Sequence, residues 1–276
     1  MSPTGSAQVA RALARVLPAC GWQVALASGS LGEPGAPTHA ASFYEGVEVT
    51  AVDYSPALRL ADPLAAAVPF QPSYEDRSAS ADRVFAMVDD AAYERLVATW
   101  TGALARAGAA RADLLHLHHL TPAHEAALRA FPWVPILGQL HGTELAFLRR
   151  LRAGPPPAWR HARAWEQRLR RWARGCAQLI VPRGAEAEVA SLLGLERSRL
   201  HGLPSGVDWN ASSRGRSPVR PGWRSGGAGS STTRKAGTSK GRPAASPTGP
   251  TSSPRSARKR CSSTWAASRP SSGCPC

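Results

Sequence analysis

Apolar positions along the first two hundred residues follow two alternating rhythms, one of period near 3.6 and one of period 2. Val9, Leu13, Val16 and Leu17 recur at helical spacing and predict a first helix over residues 7–17, broken by Pro18 and Gly21. Residues 22–27 (W-Q-V-A-L-A) then predict a short strand, residues 29–38 a Gly/Pro-rich loop, and residues 47–52 (V-E-V-T-A-V) a second strand. Tyr93, Leu96, Val97, Trp100 and Leu104 define a helix over 91–107, closed by Gly108. Residues 113–119 (D-L-L-H-L-H-H) read as a short buried strand with His116 and His118 on one face. Thr121 followed by Pro122 is a helix start with proline at the first helical position, so 122–130 is predicted helical. A strand over 136–140, a helix over 143–152, a helix over 158–174, a strand over 178–181, a helix over 186–193 and a last strand over 199–203 complete the series. Residues 55–82 have few periodic apolar positions and several prolines, and a loop of that length inside a domain is usually functional or mobile.

Strands and helices that alternate in this way predict an α/β fold: a Rossmann-like, doubly wound, mostly parallel sheet covered by helices on both faces. The chain opens on a loop and a helix with no strand before them, whereas such a glycine-containing loop normally follows a first strand. The pattern therefore predicts a true start that lies upstream.

Composition changes the picture near Trp209. The net charge of +15 sits mostly in residues 209–276, which hold thirteen Lys and Arg and no Asp or Glu; the body to Asp208 carries 21 basic against 19 acidic residues. All three lysines lie in the tail, which also lacks Leu, Ile, Phe, Tyr and Met. It cannot bury enough apolar surface to offset its ordering entropy, so the expected organisation is a folded domain over 1–208 and a disordered Arg/Ser/Gly/Pro-rich tail over 209–276. Five cysteines spread between body and tail give no disulfide framework. No signal peptide is readable at the amino terminus, and no apolar run approaches the roughly 20 residues that span a bilayer. A cytoplasmic location is the expectation.

The chemistry-bearing stretch is V-P-I-L-G-Q-L-H-G-T-E-L, residues 134–145. It predicts a strand that ends at His141 and Gly142 and a helix that begins at Thr143. In an open α/β sheet the carboxyl ends of strands border the ligand crevice, and the following helix presents unpaired amides and the positive end of its dipole there. His141 can meet a ligand at such a corner, Gly142 allows backbone conformations closed to other residues, and Glu144 in the first turn suits the helix end. The alternative is that Gly142 makes the turn and His141 caps it. His116, His118, His119, His124 and His141 crowd together in sequence, but no carboxylate or cysteine is spaced to complete a metal site, so no metal is expected. In the helix over 158–174 either the Trp165/Trp172 stripe packs on the sheet under solvated arginines, or the arginines meet an anionic membrane surface or an acceptor phosphate. The basic tail raises nucleic-acid binding as a rival function, but aromatic interleaving is sparse and no specific nucleic acid is expected.

Three segments together resemble the amino-terminal domain of the family 4 glycosyltransferases, which have the two-domain GT-B architecture. They are the Pro3-Thr4-Gly5-Ser6 loop that leads into a helix, the D-L-L-H-L-H-H strand with the H-G-T-E-L corner, and L-P-S-G-V-D at residues 203–208, where the family usually reads P-N-G-V-D. The resemblance implies transfer of a sugar from a nucleotide-sugar donor to an acceptor hydroxyl, with retention and without an essential metal or other cofactor. It implies that Gly5 and Ser6 lie near the donor diphosphate and that His141 contacts the donor sugar as the catalytic-site residue. His116, His118, Gly142, Thr143 and Glu144 are the expected substrate-binding surroundings. The family's second domain supplies an arginine and a lysine for the diphosphate and a pair of glutamates eight positions apart. No Glu follows Asp208 in this chain. The expectation is a fragment with little or no activity alone, whose tail is an out-of-frame translation of the second domain.

Overall fold

The computed structural model describes residues 5–65, 67–76 and 83–204, together with the backbone of residues 263–268. All of them belong to one compact unit spanning Met1–Ser205 and Ala257–Cys276; a second unit, Gly206–Ser256, lies outside the described residues.

Helix α1 (Gly5–Val16) leads through a short 3-10 turn, ended by Gly21 in the left-handed region at φ 79°, into β1 (Gln23–Ser30). A one-turn helix α2 (Ala40–Phe43) and β2 (Glu48–Asp53) follow. Helix α3 (Asp90–Arg106) is capped by the Asp89 carboxylate, which accepts from the Ala92 amide at 2.8 Å. Then come β3 (Leu114–His118), α4 (Pro122–Ala130), β4 (Ile136–Gln139), α5 (Thr143–Ala153), α6 (Ala162–Gly175), β5 (Gln178–Pro182), α7 (Glu186–Leu193), β6 (Leu200–Leu203) and β7 (Ser263–Ser268). The predicted order of strands and helices holds throughout the body.

Three differences have physical causes. Strand β1 runs on past Ser28 through Gly29 and Ser30, the first two residues of the loop expected over 29–38. The missing side chain of Gly29 lets the ring of Tyr54 lie where a Cβ would stand. Helix α6 begins at Ala162 rather than 158, because the chain after Pro155-Pro156-Pro157 first turns to bury Trp159. The long segment after Ser55 is anchored at Phe70 and Tyr74, both in the main core, and through a bridge between Ser73 and Val84.

The sheet order is β2-β1-β7-β3-β4-β5-β6. Strand β1 pairs parallel with β2, and β3, β4, β5 and β6 pair parallel in succession; β7 runs antiparallel to both of its neighbours, β1 and β3. In a doubly wound sheet of this order the place between β1 and β3 belongs to the strand that precedes the first helix. Here the tail fills it. The expectation of disorder therefore does not extend to Ser263–Ser268. Two facing strand edges need partners for their amides and carbonyls, and residues 261–268 are the tail's longest run without Gly, Pro or a charged residue. The rest of 209–276 lies outside the described residues.

The sheet is packed on both faces. Adjacent residues of β1, Leu26 and Ala27, fall in separate apolar clusters: Leu26 with Ala10 and Ala14 of α1 and with Tyr44, Ala27 with the large core that holds Trp100, Trp165 and Trp172. Trp165, Leu169 and Trp172 of α6 are fully buried, while Arg168, Arg170 and Arg171 pair with Asp90, Glu166 and Glu125. The tryptophan stripe is thus buried, as the first alternative expected, but its rings pack on Phe85, Tyr93 and His124 rather than on the sheet, and these arginines are ion-paired rather than simply solvated. No helix among the described residues is long and apolar enough to cross a membrane.

Candidate active site

The candidate site forms where β3 and β4 end side by side. Their parallel register places His118 opposite Gln139, so the residues that follow each strand, His119 and Leu140-His141, leave the sheet together. Strand alternation turns Leu115 and Leu117 into the main core and sends His116 and His118 to the opposite face, where their rings stack with centroids 4.6 Å apart. His141 extends the stack: its ring lies 5.1 Å from that of His118, and its Nε2 sits 2.9 Å from His118 Nδ1, within hydrogen-bond distance. One proton serves that contact, so the tautomers of the two rings are coupled.

Gly142 makes the turn into α5 at φ 92°, a conformation that favours glycine. Two residues on, the Glu144 side chain is fully buried and reaches back to both strand ends. Its Oε1 accepts from His119 Nδ1 at 2.6 Å, and its Oε2 accepts from the backbone N–H of His141 and the hydroxyl of Thr143, each at 3.2 Å. His119 is the one non-glycine residue with positive φ among the described residues, at 62°. Below it Tyr74, from the long segment after Ser55, packs against His119 and Phe147 and donates its hydroxyl to the Leu120 carbonyl.

Burial sets the charges. It pushes His116 and His141 down to about 4, and His118 well below its ordinary value; the neighbouring imidazoles add to the effect at His118 and His141. These three imidazoles are therefore neutral near pH 7. Burial alone would raise the Glu144 carboxyl, but the charge and hydrogen bond of His119, together with His141, outweigh it and hold the group at about 2. A permanent carboxylate thus stands behind the corner. Burial, and then the charge of Glu144, raise the Tyr74 hydroxyl well above its usual range, so it remains a donor.

The structure thus brings together His116, His118, His141, Gly142, Thr143 and Glu144. His118 and Glu144 are fully enclosed and His116 nearly so, whereas His141, Gly142 and Thr143 are half-buried at the rim. Gly5 is exposed and Ser6 buried in the first turn of α1, the helix that lies against β7. His119, named from sequence only among the crowded histidines, was not among the expected site residues, and neither was Tyr74. His119 carried a signal as the last member of the H-L-H-H run; Tyr74 carried none, since its partners lie some 45 positions away. Among the described residues no group of three or more His, Cys, Asp or Glu is arranged to hold a metal ion.

The model of glycosyltransferase family 4 matches residues 3–210, about three quarters of the chain. The chain belongs to glycosyltransferase family 4. No curated protein matches it. In this family 4 domain the matched region covers, among the described residues, β1 to β6 and α1 to α7, and it contains the whole histidine corner.

Proposed function

We propose that residues 1–208 are the acceptor-side lobe of a retaining GT-B glycosyltransferase, which transfers a sugar from a nucleotide-sugar donor to an acceptor hydroxyl, and that His141 is its donor-sugar contact. The observation that carries the reading is the position of His141: half-buried, at the carboxyl end of a parallel strand and the amino end of α5, in a family 4 chain. Its Nε2 is taken by His118. Nδ1 is therefore the ring nitrogen left to bond a ligand, as donor or acceptor according to the tautomer the pair shares. A neutral imidazole suits a sugar hydroxyl, since its free nitrogen can donate to or accept from that hydroxyl according to the tautomer.

Electrostatic stabilisation of that diphosphate is the largest task in the reaction, and no glutamate follows Asp208 to build the family's donor site. The reading is therefore of a lobe that binds but does not turn over by itself. Gly5 and Ser6, at the start of α1, are the residues proposed nearest the diphosphate. Saturation-transfer NMR with UDP-glucose, UDP-N-acetylglucosamine and GDP-mannose tests both parts. At least one is expected to show sugar-ring contacts that His141→Ala removes, with no hydrolysis or transfer. Sugar contacts that survive His141→Ala, or turnover by the purified chain, overturn the respective part.

A further inference from the structure

The geometry points to Glu144 as the positioning residue of this corner, a clamp that fixes the His118–His141 pair by tying the ends of β3 and β4 to one carboxylate. The clamp itself is independent of the glycosyltransferase reading; only its effect on ligand binding rests on that reading.

Four observations carry it. Glu144 has no exposed surface, so it cannot itself touch a ligand at the rim. Its two oxygens divide their work: Oε1 accepts from His119 Nδ1–H on the residue after β3, and Oε2 accepts from the backbone N–H of His141 after β4. The first bond is made by a residue held in the left-handed region, a conformation that persists only where the surroundings over-determine it. Finally, His118 and His141, whose rings share the proton, are the direct neighbours of the two clamped positions, His118 preceding His119 and His141 supplying the clamped amide. Fixing the two backbone ends fixes the separation of the two rings, and with it which nitrogen of His141 remains for a ligand.

The chemistry of the clamp needs two acceptor oxygens. A carboxylate has them; a glutamine has one oxygen and one NH2 group, and the NH2 cannot face an N–H donor. In Glu144→Gln either the His141 amide loses its acceptor, or His119 must move its proton to Nε2 so that Nδ1 can accept. The first outcome is visible in the exchange of the His141 amide, the second in the ring nitrogens of His119.

The test is nitrogen-15 NMR of the histidine rings in the full chain, with thermal unfolding and calorimetric titration of UDP-glucose as companions. In the wild type His119 is expected as the Nδ1–H tautomer, with a slowly exchanging His141 amide and one fixed tautomer for the His118–His141 pair. In Glu144→Gln and Glu144→Ala the His118 and His141 ring signals are expected to shift or to average between tautomers, and UDP-glucose affinity to fall at least tenfold while Glu144→Gln stays folded. Ring signals of His118 and His141 that are unchanged in a folded variant overturn the proposal. So does a wild-type His119 protonated only at Nε2, a result that needs no variant to fold. If the wild type binds no UDP-glucose, the functional reading with that donor fails, while the ring signals still decide the clamp.

Discussion

The indole Nε1 of Trp172 donates to Oε2 of Glu125 at 2.7 Å, across the contact between α6 and α4, beneath the large core. The same carboxylate accepts from Arg129 at 2.6 Å and from Arg171, and Arg129 goes on to Glu94. One buried acid thus satisfies a buried indole and ties two helices together.

Removing that acid should be costly. In Glu125→Ala the two arginines, each about half exposed, regain water, but the Trp172 N–H is left buried and unpaired, so a loss of ~1–3 kcal/mol is expected. Trp172→Phe leaves Glu125 its arginines but removes part of a fully buried ring and leaves a cavity, and a larger loss of ~2–4 kcal/mol is expected. Urea denaturation midpoints of the two variants check the order; Trp172→Phe proving the milder would refute this account.

Stability should fall with acid well above the carboxylate range. His124, like His116 and His141, is held neutral by burial, its value pushed down to about 3. The unfolded chain takes up protons below about 6.5, while the folded protein does not until near 4 or lower. The contribution of these groups is fully present above pH ~6.5 and is lost as pH falls toward their folded values. Glu144, held at about 2, adds a loss in a lower window, as pH falls from about 4.5 toward about 2. Melting temperature measured from about pH 7.5 to about pH 4 should decline, and His124→Gln should flatten the decline; a flat wild-type profile above about pH 5 contradicts the burial argument.

Two glycines near the corner should fail for different reasons. A Cβ at Gly138 would meet Leu179 Cδ2 at 2.6 Å and Cys176 Sγ at 3.0 Å, so Gly138→Ala overpacks the sheet and is expected to cost ~1–3 kcal/mol. A Cβ at Gly142 meets nothing within 4 Å, but φ there is 92°, and Gly142→Ala is expected to cost ~1 kcal/mol through backbone strain. Shortening Leu179 to Val should restore part of the first loss and none of the second. Equal restoration in a double-mutant cycle would show that crowding is not the cause.

Deleting residues 257–276 removes β7 from between β1 and β3. Two facing strand edges then lose their partners in the middle of the sheet, where unpaired backbone groups invite association with other chains. The shortened chain is expected to unfold at lower urea and to elute as aggregates in size-exclusion chromatography. A monomer of unchanged stability would show that β7 contributes nothing to the fold.

Local signals made much of this protein readable. Proline after Thr121 gave the start of α4, and the break at His141-Gly142 gave the start of α5, because proline restricts its own backbone and glycine admits conformations others avoid, whatever surrounds them. Alternation in L-L-H-L-H placed His116 and His118 on one face, and their rings do stack. Chemistry that depends on chain neighbours was thus legible, and so was membership of a family whose motifs are short and ordered.

What the sequence determined by itself is the α/β alternation, the corner at His141 and the break in composition near Trp209. Tertiary structure alone decided that a tail segment completes the sheet between β1 and β3, that Tyr74 closes the site from below, and that Glu144 and His119 face inward to hold the corner while His141 stays at the rim. The reason is physical. Backbone restriction and periodicity act over a few residues, whereas strand pairing, burial and the sharing of one proton between two rings depend on groups that only the folded chain brings within a few ångströms of each other.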